Sequence, residues 1–328
     1  MMSYKAFVLY KEEDRLHHKI ENVNEDYWQE GDVWIDVAYS SINYKDAYVV
    51  KDGSLAEKSP LIPGIDLAGI VRESNNPSFK KGQEVIATSY RIGTGHHGGY
   101  AQLARVPSEW VIPLPDGLTL KEAMILGTAG LTAALSIQKL ENNGLTPEQG
   151  PVVVPGATGG VGSLAVNMLS NLGYEVIAGT GKEDKKEYLL QIGASEVVNR
   201  QDLQEEAPSS PQKTKWAGAV DPVGGNTLSY ILNTLKRGGS VATSGFTAGT
   251  DVQTTVFPFI GRGVNWLGID SVTCSMEERT AAWHRLATDL KPTIFQNESI
   301  QEVTLEDLDQ VFEAMLAGRT TGRTIVAL

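Results

Sequence analysis

Residues 152–173 read VVVPGATGGVGSLAVNMLSNLG, and this stretch decides the fold. A β-branched run enters a glycine-rich turn, and the turn opens onto Val161, Leu164, Ala165, Met168, Leu169 and Leu172. Those positions are i, i+3, i+4, i+7, i+8 and i+11, one face of a 3.6-residue repeat. The spacing therefore predicts an amphipathic helix, ended by Gly173. Strand, turn and helix in this order suit a dinucleotide pyrophosphate. Small residues let the backbone approach, and unpaired N–H groups at the helix start face the anion.

Against G-x-G-x-x-G the turn reads Ala157-Thr158-Gly159-Gly160-Val161-Gly162, with alanine in the first glycine place and Gly156 one residue earlier. An ordinary close-packed βα turn gives the same cluster, so the glycines alone do not prove a nucleotide. A membrane span fails here, although no charge occurs between Glu148 and Glu175. Gly, Ser, Thr, Asn and Pro interrupt the stretch, and a span needs about 20 mainly apolar residues in succession.

Working outward, 328 residues favour two domains. A composition of 41% hydrophobic and 21% charged residues is that of an ordinary globular protein. A net charge of −12 works against non-specific binding to nucleic acid or anionic membranes. Cys274 is the sole cysteine, which excludes an intrachain disulfide and a multi-cysteine zinc site. The opening MMSYKAFVLYKEEDR has an apolar run too short for a signal peptide, so the cytoplasm is the expected location. Residues 205–215, EEAPSSPQKTK, read as a surface loop.

The first third is β-rich, with strands expected at 4–10, 33–39, 65–71, 84–88, 100–106 and 110–114. Short strands with frequent turn signals point to a compact barrel-like domain. Thr119-x-x-Glu122 is a capping-box pattern for a helix at 121–126, and a second helix is expected at 132–142. Beyond residue 152, strands at 175–178, 196–199, 217–221, 240–244 and 264–269 alternate with helices at 183–192 and 228–235. That alternation means a parallel, doubly wound sheet. Helices at 276–290 and 305–316 and a closing strand at 324–328 complete the chain. The reading is a catalytic β-rich domain at 1–122, a nucleotide-binding domain at 123–270 and a return segment at 271–328. A cleft between such domains is a favoured small-ligand site.

The second strand of a dinucleotide fold ends near the adenine ribose, where an acid suits NAD and a basic residue suits the 2′-phosphate of NADP. Here the strand runs into Thr180-Gly181-Lys182, with no acid at its tip. The missing acid, more than the lysine, favours NADPH. Lys182 also begins a charged helix with Glu183, Asp184, Lys185, Lys186 and Glu187, which offers it a purely solvated role.

The chain resembles the zinc-free medium-chain dehydrogenases/reductases, within them the NADPH-dependent quinone oxidoreductase and acrylyl-CoA reductase group. The resemblance covers nearly the whole length. It rests on SINYKD (41–46), PGIDLAG (63–69), GTAGLTAA (127–134), GATGGVG (156–162), WAGAVDPVGG (216–225), GIDS (268–271) and GRTIV (322–326). It implies an α/β protein: a GroES-like β-rich domain holding both chain ends around a Rossmann domain with a doubly wound parallel sheet. It also implies hydride transfer from NADPH to an electron-poor carbon–carbon double bond or a quinone. Pro155 is a departure, since the group often has threonine there; lacking an N–H, it should lie where strand pairing has ended. Zinc relatives carry a cysteine near position 43 and a histidine in a G-H-E motif, where this chain has Asn43 and Gly64-Ile65-Asp66. No metal is expected. His96-His97, alone in a glycine-rich loop, is read as a solvated feature rather than a metal site.

Hydride transfer is the nicotinamide's chemistry; the protein must hold it and stabilise charge on the acceptor. As hydride arrives, an enone, enoyl thioester or quinone develops negative charge on oxygen, and one well-placed donor is worth roughly 10²–10³ in rate. Tyr44 is the first candidate. Its phenol is a donor with a pKa near ~10, and in the resembling group the matching tyrosine lies by the nicotinamide. A packing or cofactor-contacting tyrosine is the equal alternative. Asp46 and Asp66 either orient Tyr44 or pair with Arg323, and structural salt bridging is the plainer role for both. Arg323 suits a phosphate or acceptor oxygen bidentately. For the cofactor the matching positions are Tyr44, Thr158, Gly159, Gly160, Val161, Thr180, Gly181, Lys182, Arg200, Phe246, Ile260 and Ser271. Of these, Arg200, Phe246, Ile260 and Ser271 rest on the resemblance alone.

The sequence thus points to a cytosolic, metal-free, NADPH-dependent reductase of activated alkenes or quinones. It does not separate an acrylyl-CoA-type enoyl thioester from a quinone. A CoA acceptor needs a basic patch, for which Arg91, Arg262 and Arg319 are the candidates. The reading from another class is a non-catalytic NADPH-binding sensor or RNA-binding protein; the charge of −12 and the absence of a Lys/Arg-rich run weigh against RNA. The resemblance also implies a homodimer through edge strands of the nucleotide domain.

Overall fold

The computed structural model describes residues 2–12, 15–28, 30–204, 212–295 and 297–328. Most of the expected loop at 205–215 therefore lies outside the described residues.

The strand Val152–Val154 is three residues long and fully buried. Pro155 follows it, so the ring without an N–H sits where the ladder ends. Around this strand six parallel strands assemble in the order Glu196–Asn199, Val176–Thr180, Val152–Val154, Trp216–Asp221, Leu235–Thr243 and Asn265–Gly268. In chain order that is 3-2-1-4-5-6, the doubly wound arrangement in which the crevice lies beyond the strand ends at the first strand. Val153, Ile177, Ala219, Leu228, Ile231 and Val241 fill its core. Burying each large aliphatic side chain contributes roughly 1.5–3 kcal/mol. The helix Gly160–Asn171 is buried at every residue from 162 to 169, not on one face as its periodicity predicts. The segment 281–294 covers it: Asn167 accepts from the Thr293 N–H at 2.9 Å and donates to the Ile192 carbonyl at 2.9 Å.

The β-rich part is built on Val33–Ile42, which is long enough to pair on one side with Asp66–Ser74 and on the other with Leu103–Val106 and then Arg323–Ala327. Ile300–Val303, Glu84–Thr88 and Val111–Pro113 complete the seven-stranded sheet. A hairpin of Ser3–Glu12 and Arg15–Asn24 adds a second layer. Tyr4, Phe7, Trp28, Ile42, Tyr100 and Phe312 form one core cluster of this part, and Ile35, Leu67, Val71 and Val85 belong to another.

The chain divides into one unit of Met1–Thr128, Val272–Thr280 and Phe295–Leu328 and a second of Ala129–Ser271 and Ala281–Ile294. Where the sequence reading returns 271–328 whole to the first domain, the structure divides it. Residues 281–294 join the second unit through Thr293 and through the Arg285–Glu141 ion pair at 2.6 Å. The two helices expected at 121–126 and 132–142 run together as Leu120–Asn142, broken by non-helical Gly127 (φ 51°, ψ −153°). This helix alone, among the described residues, is long and apolar enough to cross a membrane, but 72% of its most apolar window is buried within the fold.

Candidate active site

In the first unit the site grows from a helix start. Asn43, with extended φ and ψ, precedes the helix Tyr44–Lys51, and Asp46 stands at its third position. The Asp46 carboxylate accepts from the Asn43 N–H at 2.9 Å, as a capping box requires, and from the Ile65 N–H at 2.9 Å. Asp46 is fully buried. Burial first, and then the neighbouring Asp66 charge, push its pKa up to about 7 against the pull of those hydrogen bonds.

Asp66 opens the strand Asp66–Ser74 and is equally buried. Its Oδ2 accepts from Ser41 Oγ at 2.5 Å, Asn43 Nδ2 at 2.7 Å and the Thr128 N–H at 2.9 Å, while Oδ1 accepts from Thr128 Oγ1 at 2.5 Å. Arg323 opens the closing strand and is buried. It donates Nε to the Ile125 carbonyl at 2.8 Å and Nη1 to the Ile42 carbonyl at 3.1 Å and Asn43 Oδ1 at 3.3 Å. Burial lowers its pKa. Among the described residues Arg323 makes no direct ion pair with either aspartate; the Asn43 amide joins it to Asp66. Gly127 crosses over this group. A Cβ there would stand 2.6 Å from both Asp66 Oδ2 and Ser41 Oγ.

Asp46, Asp66 and Arg323 are thus brought together in one buried network, in which Arg323 Nη2 makes no hydrogen bond among the described residues. Tyr44 differs: it is 37% exposed, with its ring 5.2 Å from that of Tyr48. Partial burial and a hydrogen bond with Tyr48 raise its pKa, so the phenol is a proton-bearing donor at neutral pH. No hydrogen bond joins it to Asp46 or Asp66 among the described residues. The sequence reading missed Ser41, Asn43 and Thr128 as partners, although they lie within SINYKD and GTAGLTAA.

His96 and His97 correct an expectation. Both are buried rather than solvated. His97 Nδ1 accepts from the Ile62 N–H at 3.1 Å, and the His96 ring packs edge-on to Trp110 at 5.3 Å. Burial pushes His97 down to about 3, so it stays neutral. No group of three or more His, Cys, Asp or Glu side chains suited to a metal occurs among the described residues. The site does not fit zinc: it offers no thiolate, and the Asp46 and Asp66 oxygens already accept hydrogen bonds.

In the second unit, the glycine turn runs from Gly156, at φ 61°, to the helix Gly160–Asn171, whose N-cap Gly159 supplies no side-chain cap. A Cβ on Gly162 would meet the Gly156 carbonyl at 2.4 Å, so the turn and helix are as close as the backbone allows. Thr158 is buried in the turn and Val161 half-buried. At the tip of Val176–Thr180, Thr180 Oγ1 accepts from the Lys182 N–H at 3.1 Å. A Cβ on Gly181 would stand 2.7 Å from Arg200 Nε, so the guanidinium group lies over that glycine. Arg200, carried over from the resemblance, therefore lies against Gly181, the residue between Thr180 and Lys182. Burial lowers the Lys182 pKa. Ser271 accepts from Thr132 Oγ1 at 2.8 Å, whereas Phe246 and Ile260 are 63% and 77% exposed. Asp221, fully buried and given no site role by the sequence, accepts from the Val223 and Gly224 N–H groups at 2.9 and 3.0 Å and is pushed up to about 6 by burial.

Of the arginines considered for phosphate, Arg91 pairs with Glu57 at 2.6 Å and Arg262 donates to the Asn233 carbonyl at 2.8 Å. Arg91 and Arg319 belong to the first unit and Arg262 to the second.

Residues 29–116 match the alcohol dehydrogenase GroES-like domain, and residues 160–288 match the family described as zinc-binding dehydrogenase. The chain is 48% identical to the putative quinone oxidoreductase YhfP of Bacillus subtilis over 99% of both chains. The chain belongs to the medium-chain dehydrogenases/reductases. Within that family it falls in the quinone oxidoreductase and acrylyl-CoA reductase group: it is also 42% identical to the probable acrylyl-CoA reductase AcuI of Escherichia coli over 98% of this chain and 99% of the relative. Among solved structures, B. subtilis YhfP with NAD bound aligns at a TM-score of 0.97, 47% identity and full coverage of both chains. E. coli YhdH with bound NADPH aligns at 0.94 and 42% identity, covering 98% of this chain and 99% of that one.

Proposed function

We propose that this chain is an NADPH-dependent oxidoreductase that delivers hydride to the activated double bond of an acrylyl-CoA-like enoyl thioester, or to a quinone, without a metal ion. The observation that carries the choice of cofactor is the cradle at the end of Val176–Thr180. Arg200 lies over Gly181 beside Lys182 and the Thr180 hydroxyl, with no carboxylate at the strand tip. Two cations and a hydroxyl suit a 2′-phosphate, where an acid would suit a free ribose hydroxyl. The NADPH bound by E. coli YhdH supports this, while the NAD bound by YhfP makes the choice a measurable one.

NADPH supplies the hydride. The glycine turn and the uncapped start of Gly160–Asn171 hold the pyrophosphate. Tyr44 donates a hydrogen bond to the acceptor oxygen on which negative charge develops, and one proton completes the two-electron reduction of either acceptor. Asp46, Asp66 and Arg323 fix the helix start that presents Tyr44. The exposed edge strand Asn265–Gly268, with Trp266 at its surface, supports a homodimer.

The test is oxidation of NADPH and NADH with acrylyl-CoA and 1,4-benzoquinone in parallel. A kcat/KM of at least ~10⁴ M⁻¹s⁻¹ for acrylyl-CoA, with the quinone far slower, makes this an enoyl-thioester reductase. The reverse result makes it a quinone reductase. Tight NADPH binding without turnover of either acceptor establishes the non-catalytic reading instead.

A further inference from the structure

Ser89 and Tyr90 follow the strand Glu84–Thr88 with φ of 65° and 48°, the only non-glycine residues with positive φ among the described residues. Residues with a Cβ keep such a backbone only where their surroundings over-determine it, and such places cluster at ligand sites. The surroundings here are specific. The Ser89 N–H donates to the Ile65 carbonyl at 2.8 Å, and its hydroxyl pairs at 2.8 Å with Thr128 Oγ1, the same oxygen that donates to Asp66. The Tyr90 N–H donates to the Val272 carbonyl at 3.2 Å. Fully buried Arg279 donates to Thr88, just before the strained pair, and to the Val272 carbonyl that also accepts from the Tyr90 N–H.

These contacts fix a ring. The Tyr90 ring stacks on Trp110 at 5.5 Å with 10° between planes, and the Arg279 guanidinium stands 4.3 Å from its centroid. Tyr90 and Trp110 then line a cavity of ≈ 450 Å³ with Leu55, Val272 and Lys45, the residue after Tyr44.

We propose that the Tyr90–Trp110 stack is the wall that sets acceptor size in this cavity, and that Asp66 is its positioning residue, acting through Thr128 and Ser89. The inference rests on the reductase reading above. It adds that the part of the acceptor beyond the reacting carbons, an acyl chain or the outer ring of a quinone, meets an aromatic wall of fixed position.

The experiment compares kcat/KM for acrylyl-CoA and trans-2-hexenoyl-CoA in the wild type, Trp110→Ala, Leu55→Trp, Thr128→Val and Thr128→Ser, with NADPH affinity measured separately by nicotinamide fluorescence. One methylene in an apolar pocket is worth about 10–200-fold in specificity. Trp110→Ala should therefore raise the hexenoyl-to-acrylyl ratio at least about tenfold. Leu55→Trp, at a position 39% exposed and so safe for folding, should lower that ratio by a similar factor. Thr128→Val should move the ratio in the direction of Trp110→Ala, and Thr128→Ser, which keeps the hydroxyl, should restore it. NADPH affinity should stay within about twofold throughout, a separation that a general loss of structure would not give. If only quinones are turned over by the wild type, benzoquinone and 1,4-naphthoquinone take the two places, with the same inequalities. A ratio unmoved by both Trp110→Ala and Leu55→Trp in an active enzyme overturns the wall. A ratio moved by Trp110→Ala but not by Thr128→Val removes Asp66 from its positioning role. A wild type inactive with both acceptor classes overturns the reductase reading and the wall together.

Discussion

Thr128 donates to both oxygens of Asp66: its hydroxyl reaches Oδ1 at 2.5 Å and its N–H reaches Oδ2 at 2.9 Å. A residue just past a helix break thereby closes one end of a buried carboxylate whose other donors come from 41 and 43. Hydrogen bonds to a charged group contribute more than neutral ones, and a buried carboxylate stripped of a donor carries the desolvation cost. Thr128→Val should lower unfolding free energy by about 1.5–3 kcal/mol. Urea unfolding followed by circular dichroism measures it; a loss below about 0.5 kcal/mol would show that the hydroxyl bond adds little to stability.

Gly127 is required by the same geometry. Its φ of 51° and the 2.6 Å approach that a Cβ would make to Asp66 and Ser41 both oppose any side chain. Gly127→Ala should cost more than the ~1 kcal/mol of an ordinary glycine replacement, because the neighbours are the polar atoms of the network and not the ends of flexible chains. The midpoint of thermal unfolding is the readout, with Gly173→Ala, where a Cβ meets nothing within 4 Å, as the control for positive φ alone.

Asp46 sets a pH dependence. Its pKa in the folded chain is about 7, above the unfolded value of ~3.9. Folded protein therefore holds the proton more tightly than unfolded protein between those values, so stability falls as pH rises from about 4 to about 7 and is level in this respect outside that window. At about 1.36 kcal/mol per unit the span is on the order of 4 kcal/mol. Asp46→Asn should remove this component of the slope. Denaturant midpoints at several pH values decide it, and an unchanged slope in the variant would assign the titration elsewhere.

How much of this is legible in the sequence differs between the two units. The parallel sheet announces itself because glycines punctuate alternating strands and helices, and its strand Glu196–Asn199 falls where the sequence places it, as Glu84–Thr88 does in the other unit. The strand Arg15–Asn24 does not, since RLHHKIENVN alternates too weakly to show an apolar face. Nor does the helix Tyr44–Lys51, which carries the proposed donor: eight residues give no periodicity, and its one signal is Asn43-x-x-Asp46, a capping box without serine or threonine. Spacing also cannot show that Thr128 and Ser41 meet at Asp66, because that meeting is made by tertiary structure across 62 and 25 residues. His96 and His97 look solvated among glycines, yet the glycines are what let the loop fold inward, with Gly98 and Gly99 N–H groups bonded to the Ile62 and Gly64 carbonyls.

Tyr44 separates two roles that the sequence leaves equal. If its phenol donates to the oxygen that becomes charged, Tyr44→Phe removes a bond strongest in the transition state, and kcat should fall roughly 10²–10³-fold with little change in NADPH affinity. If the ring only packs against Tyr48 or the cofactor, kcat should hold within a few-fold while KM for NADPH rises. Steady-state kinetics with saturating acceptor distinguishes these.

The nucleotide cradle gives the last prediction. Arg200 is exposed and lies over Gly181, and Lys182, the next residue in the chain, is half-buried. A 2′-phosphate held by these two cations makes charge-assisted hydrogen bonds that the free ribose of NADH cannot. Arg200→Ala should therefore raise KM for NADPH about tenfold or more, the effect of losing roughly 1.4 kcal/mol, and leave KM for NADH unchanged. Lys182→Ala should act in the same direction, and the double variant should bring the two cofactors close to equal. The comparison must be made at fixed salt, since an exposed ion pair weakens as ionic strength rises. Equal losses for NADPH and NADH in Arg200→Ala would mean that the guanidinium supports the adenosine half in general, and the preference for a phosphate would then have to come from another group.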